Sequence, residues 1–210
     1  MNGSNSPIVL GVDFDNTIIC YDRLIRDIAV SRDLIPSTLY GKRGIRDCIR
    51  LLPDGERIWQ TIQAEIYGPG INGAHLIDGV AEFFLRCQQR EIVVHVISHK
   101  TIYANLDITE TNLRTSALNW MEVNGLFRES GGGLDKSRVI FAATRAEKIE
   151  FIIRCRCSHF IDDLIEVFED PEFPEGVEKL FFDRSNTQMG LAHRSFSSWQ
   201  EISAYFLDAA

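Results

Sequence analysis

The stretch "IVLGVDFDNTII", residues 8–19, decides the fold. Its apolar run leads straight into Asp13 and Asp15, two carboxylates separated only by Phe14. A continuous apolar run, rather than an alternating one, predicts a strand buried on both faces, as in parallel sheets. Like charges set side by side at the end of such a strand repel one another, so the pair points to a site and not to packing.

Further runs read as strands at Ile92–Ser98, Val139–Ala142, His159–Ile161 and Leu180–Phe182. Helical patterns lie between them. Residues 79–90 carry Val80, Phe83, Phe84 and Cys87 on one face, with Asp78 as the expected N-cap; 111–125 ends in Asn-Gly, a helix stop; 197–209 reads as a closing helix. Strands alternating with helices predict an α/β fold with a mainly parallel sheet. Residues 20–75 break the alternation with helix-like runs at 21–34, 37–51 and 55–67, followed by "YGPGING" (67–73) as a return linker. The expected organisation is therefore a core of 1–19 and 76–210 with a helical insertion at 20–75.

A chain of 210 residues is long enough for one large domain, or a core with a smaller insertion. No apolar run approaches the roughly 20 residues that span a bilayer, and "MNGSNSP" lacks the basic and apolar parts of a signal peptide. A cytoplasmic location and no membrane partner are expected. The five cysteines are odd in number and scattered, and Cys155-Arg-Cys157 lacks the CxxC spacing of zinc or redox pairs, so reduced thiols are expected. A net charge of −8 and the lack of a basic tract argue against nucleic acid as a partner. Nothing here assigns an oligomeric state.

Parallel α/β sheets bind ligands at the carboxyl ends of their strands. Asp13 and Asp15, Ser98, and Asp162 and Asp163 all end or follow strands and so meet on that rim. Thr144 and Glu147 form a capping-box pattern that starts a helix at the same rim, and Lys148 lies in its first turn or so. Lys148 is therefore the preferred cation, Lys100 its competitor, and Lys136 belongs to the far edge. Crowded carboxylates need a proton or a metal, and oxygen-only donors favour Mg²⁺. One aspartate can serve as nucleophile and another can move protons.

"DFDNT", then "VIS", then Lys148, then "FIDDLIE" resembles, in order, the four motifs of the haloacid dehalogenase (HAD) superfamily. The resemblance covers about residues 8–19 and 76–185. It implies a Rossmann-like three-layer core with 20–75 as a cap of the family's first type. It also implies that Asp13 is nucleophile and Mg²⁺ ligand, and that Asp15 is general acid/base and gives its backbone carbonyl to the metal. Asn16 and Thr17 would shape the turn that binds phosphate, while Ser98 and Lys148 would bind the phosphoryl group. Asp162 would bind Mg²⁺ directly and Asp163 would support it, with Glu166 further out. Asn16 stands where many relatives have Gly.

The activity implied is Mg²⁺-dependent hydrolysis of a small phosphorylated metabolite through an aspartyl-phosphate. Asp15 argues against dehalogenation, which uses no second aspartate, and the chain has neither the Lys-Thr pair nor the membrane segments of a P-type ATPase. Phosphonate hydrolysis would need a cap lysine, and Lys42 is the only one in 20–75. A phosphosugar mutase of the same fold is the enzymatic alternative, and a phosphometabolite-binding regulator without turnover the non-enzymatic one. The slightly basic composition of 20–75 hints at an anionic substrate. The five histidines show no metal-ligand spacing and read as structural, with His99, next to Ser98, the one within reach of the site.

Overall fold

In chain order the computed structural model, which describes residues 8–106, 109–184 and 194–208, begins with β1 (Val9–Val12), β2 (Ile19–Cys20), α1 (Asp22–Ser31), α2 (Lys42–Arg50), α3 (Gly55–Tyr67) and β3 (His75–Leu76). It continues with α4 (Val80–Gln89), β4 (Val93–His99), α5 (Leu113–Val123), β5 (Val139–Ala142), α6 (Arg145–Arg154) and β6 (His159–Asp162). It closes with α7 (Ile165–Phe168), β7 (Glu178–Phe182), β8 (Arg194–Phe196) and α8 (Trp199–Asp208). The leader at 1–7 and Ala209, the last residue of the expected closing helix, lie outside the described residues.

The chain divides into two compact units. The first takes Met1–Ile18, Ile77–Lys100 and Gly125–Ala210. Its sheet has the order β5-β4-β1-β6-β7-β8, and every pairing described is parallel. This is the expected α/β Rossmann-like fold. The apolar runs predicted as strands all enter the sheet. β8 was not expected, because "RSF" carries no apolar run to announce it. β1 lies inside the sheet, with Val9 opposite Val93 of β4 and Leu10 opposite His159 of β6. Gly11 is required there: a Cβ would come within 2.4 Å of the Phe160 ring. Phe160 packs with Ile97, Ile149 and Ile152 in one core cluster. Trp199 anchors other aromatics, its ring 5.0 Å from Phe83 and 5.8 Å from Phe182.

The second unit takes Ile19–Leu76 and Thr101–Asn124. It is wider than the 20–75 insertion: the helix expected at 111–125 is present as α5 but belongs here. α1, α2 and α3 pack together through Ile25, Ile45, Ile49, Trp59 and Ile62. β2 and β3 form an antiparallel clasp that pairs Ile19 with Leu76 and Cys20 with His75.

Helix starts depart from expectation in two places. Asp78 does not cap α4; Gly79 does, at φ +90, with no side-chain bond. α2 begins at Lys42 rather than near 37, behind Gly41 at φ +84. The arginines of this unit are largely engaged locally. Arg23 pairs with Asp27, Arg32 with Glu65, Arg46 with Asp47 and Arg50 with Glu56, while Arg26 stacks on Tyr40. That pairing weakens the hint of an anionic substrate drawn from composition. All five cysteines are free thiols. Among the described residues no helix is long and apolar enough to cross a membrane.

Candidate active site

β1 delivers Asp13 to the carboxyl edge of the sheet. The Asp13 N–H still donates to the Ile161 carbonyl at 2.9 Å, so the backbone is fixed by the ladder up to the carboxylate itself. The chain then turns sharply, with Ile18 N–H donating to Phe14 C=O at 2.9 Å. Asn16 adopts φ +62 in that turn. This is the left-handed region, where Gly and Asn are the residues best tolerated, so the turn itself accounts for Asn16. Trp199 ties the turn down by donating its indole N–H to the Thr17 carbonyl at 2.9 Å.

α6 follows β5 and starts at the same edge. Its capping box forms as expected: Thr144 Oγ1 accepts from Glu147 N–H at 3.1 Å, and Glu147 accepts from Ala143 N–H at 2.6 Å. Lys148, only 1% exposed, projects from its first turn between two carboxylates. Its Nζ lies 2.6 Å from Asp13 Oδ1 and 2.7 Å from Asp162 Oδ2. The preference for Lys148 thus agrees with the geometry. The competitor Lys100 also reaches the site, at the other aspartate: its Nζ is 2.8 Å from Asp15 Oδ2.

Burial works against every charge here. It would discharge the Lys148 ammonium, but the carboxylates of Asp13 and Asp162 outweigh it and hold the pKa above the usual lysine range. Burial pushes Asp162 up to about 6, opposed by Lys148 and reinforced by the charge on Asp13. One ammonium therefore does not fully compensate the carboxylates around it. Asp13, Asp162 and Asp163 each offer an oxygen within 4.8 Å of the others. Three carboxylates this close would supply the oxygen-only donors that Mg²⁺ takes. Donor type, number and excess negative charge all suit a hard divalent cation.

The Asp15 carboxylate is not in that cluster. A metal-ligand role for Asp15 rests on its backbone carbonyl alone. Ser98, at the end of β4, is 1% exposed, and its hydroxyl has no hydrogen-bond partner among the described residues. The Thr17 hydroxyl is likewise buried without one. His99 Nε2 sits 3.0 Å from the Ala143 carbonyl, and Glu166 is exposed on α7, outside the acidic cluster.

Lys100 was read from sequence only as the competitor of Lys148, and strand alternation places it beside the site together with Ser98, since i and i+2 project to the same side. Trp199 had no local signal, because it reaches Thr17 from the far end of the chain.

No protein-family model matches the chain, and no curated protein matches its sequence. Solved structures do. A HAD family hydrolase from Deinococcus radiodurans R1, with bound phosphate and sodium, aligns with a TM-score of 0.60 at 13% identity, covering 98% of this chain and 97% of its own. A dehalogenase in an intermediate complex aligns at 0.58 and 12% identity, covering 95% and 97%. YfnB of Bacillus subtilis, assigned as a HAD-hydrolase and bound to magnesium, aligns at 0.53 and 11% identity, covering 96% and 99%. At such identities the likeness concerns architecture, and on it the chain has the fold of the HAD-superfamily hydrolases.

Proposed function

We propose that the protein is a HAD-type phosphomonoester hydrolase, dependent on Mg²⁺, that acts on a small phosphorylated metabolite. The observation that carries the proposal is the Lys148 ammonium held 2.6 Å from Asp13 and 2.7 Å from Asp162. That contact joins the end of β1, the start of α6 and the end of β6 in one buried site. Asp15 selects the reaction. Dehalogenation has no use for a second aspartate in this place, whereas ester hydrolysis needs a proton donor for the leaving oxygen. The phosphate bound by the Deinococcus protein and the magnesium bound by YfnB are in keeping with this choice.

In the first step an Asp13 oxygen attacks phosphorus as the ester P–O bond breaks, and Asp15 gives its proton to the departing alcohol. In the second, Asp15 takes a proton from water as the water oxygen attacks the aspartyl-phosphate, and Asp13 leaves as carboxylate. Lys148 orients Asp13 and offsets phosphoryl charge, and the Ser98 hydroxyl donates to a phosphoryl oxygen. Mg²⁺, held by Asp13, Asp162 and Asp163, would supply further charge compensation when bound. Residues 20–75 serve as the cap that sets substrate choice.

Phosphate release from a panel of sugar phosphates, nucleotides and phospho-acids tests the proposal, with Mg²⁺, with EDTA, and with Asp13→Asn. Release that needs the metal and falls to background in D13N is expected. Conversion of one phosphosugar into another without net release would replace the hydrolase by a mutase. Phosphometabolite binding with no turnover at all would replace it by a regulator.

A further inference from the structure

The two-step mechanism leaves Lys100 without a role. Lysine is almost never fully buried unless paired, yet the Lys100 side chain is 2% exposed. Its backbone N–H donates to the Ala142 carbonyl at 2.8 Å, extending the β4–β5 pairing by one residue and fixing where the side chain starts. From there Nζ reaches both oxygens of Asp15, Oδ2 at 2.8 Å and Oδ1 at 3.1 Å. It also lies 5.5 Å from the centre of the Phe14 ring. The two aspartates of "DFD" are thus held by different lysines, Asp13 by Lys148 and Asp15 by Lys100.

We infer that Lys100 is the positioning residue for Asp15, fixing its carboxylate at the strand end for proton exchange with the leaving alcohol and with water. The inference rests on the phosphatase reading of the site. A carboxylate has about four acceptor positions, and Lys100 takes one on each oxygen of Asp15. Proton balance is kept: Asp15 loses one as the ester bond breaks and regains one from water, and Lys100 keeps its three throughout. Misplacing a reacting group by about 1 Å can cost 10²-fold in rate, which is the scale of effect expected of a lost tether.

A purely structural ion pair would affect all substrates alike, and leaving groups separate the two roles. The experiment compares kcat/KM for p-nitrophenyl phosphate, whose phenolate departs without a proton, and for glycerol phosphate, whose alkoxide needs one. Wild type, K100M, K100R and D15N are measured with Mg²⁺, and K100M is crystallised. K100M should lose about 10²-fold on glycerol phosphate and at most about 10-fold on the aryl ester, D15N should show the same asymmetry, and K100R should recover part of the loss. In the K100M crystal structure Asp15 should leave its place while Asp13, Lys148 and Asp162 keep theirs. Equal losses on both esters, or an Asp15 that stays put without Lys100, would overturn the inference. Wild type that hydrolyses neither ester counts against the phosphatase reading, whereas the position of Asp15 in K100M judges the tether independently. Should K100M not fold, K100Q carries the same comparison.

Discussion

Lys148 stands between two carboxylates with its whole side chain out of water, and the site's electrostatic balance depends on it. Lys148→Met would leave Asp13 and Asp162 facing each other unscreened. Removing one partner from a buried ion pair costs about 3–5 kcal/mol, so K148M should melt well below wild type in EDTA. Mg²⁺ should recover part of the loss, because the cation restores some of the missing positive charge. A K148M melting temperature that ignores Mg²⁺ would mean that Asp13, Asp162 and Asp163 do not bind it. At this scale much was legible. Asp13, Ser98, Lys148 and Asp162 announced themselves because each ends a strand or opens a helix at a known edge. The Lys100–Asp15 contact did not, because choosing one lysine for the site obscured that two aspartates need two cations.

α6 is the element that carries Lys148 to the rim, and its first turn is set by local chemistry. Thr144→Ala removes the hydroxyl that accepts from Glu147 N–H. A lost N-cap costs about 1 kcal/mol, and T144A should show that loss in urea unfolding, with the m-value unchanged. Reduced turnover should accompany it, since fraying begins in the turn below Lys148; full activity in a destabilised T144A would show that sheet packing alone places the lysine. The capping box could be read from sequence because both partners lie within four residues. The start of α4 could not, for Asp78 looks like a cap and Gly79 takes the place at φ +90. α5 was legible as a helix but not as part of the second unit. Its place depends on contacts such as that between the Trp120 indole N–H and the Ala74 carbonyl, which no local pattern encodes.

Over the whole molecule, half-buried histidines set part of the response to acid. Burial lowers the pKa of His95 and His159 below the ordinary 6.5. Both are neutral in either state above that value. As pH falls below it the unfolded chain takes up protons that the folded chain resists, so the histidines' share of stability is lost until the folded pKa values are passed. Asp162 acts in the opposite sense: its raised pKa favours the folded state as pH falls through about 6. Comparing wild type with H95Q/H159Q cancels that contribution. The melting-temperature gap in favour of wild type should shrink from pH 7.5 to pH 5; a constant gap would show that both histidines titrate normally. The overall architecture was readable because apolar runs and helical patterns alternate outside 20–75, while β8 was not, being three residues recruited by β7. The same sheet order has a bearing on how the protein is made. β1 leaves the ribosome before either partner, yet it lies between β4 and β6, and its second partner begins only at His159. At about 5–20 residues per second, an apolar strand tipped with two carboxylates waits roughly eight to thirty seconds for its second neighbour. Asp162 emerges with the strand that ends the wait, so the nascent chain brings together the Asp13–Lys148–Asp162 cluster and its central pairing at the same moment.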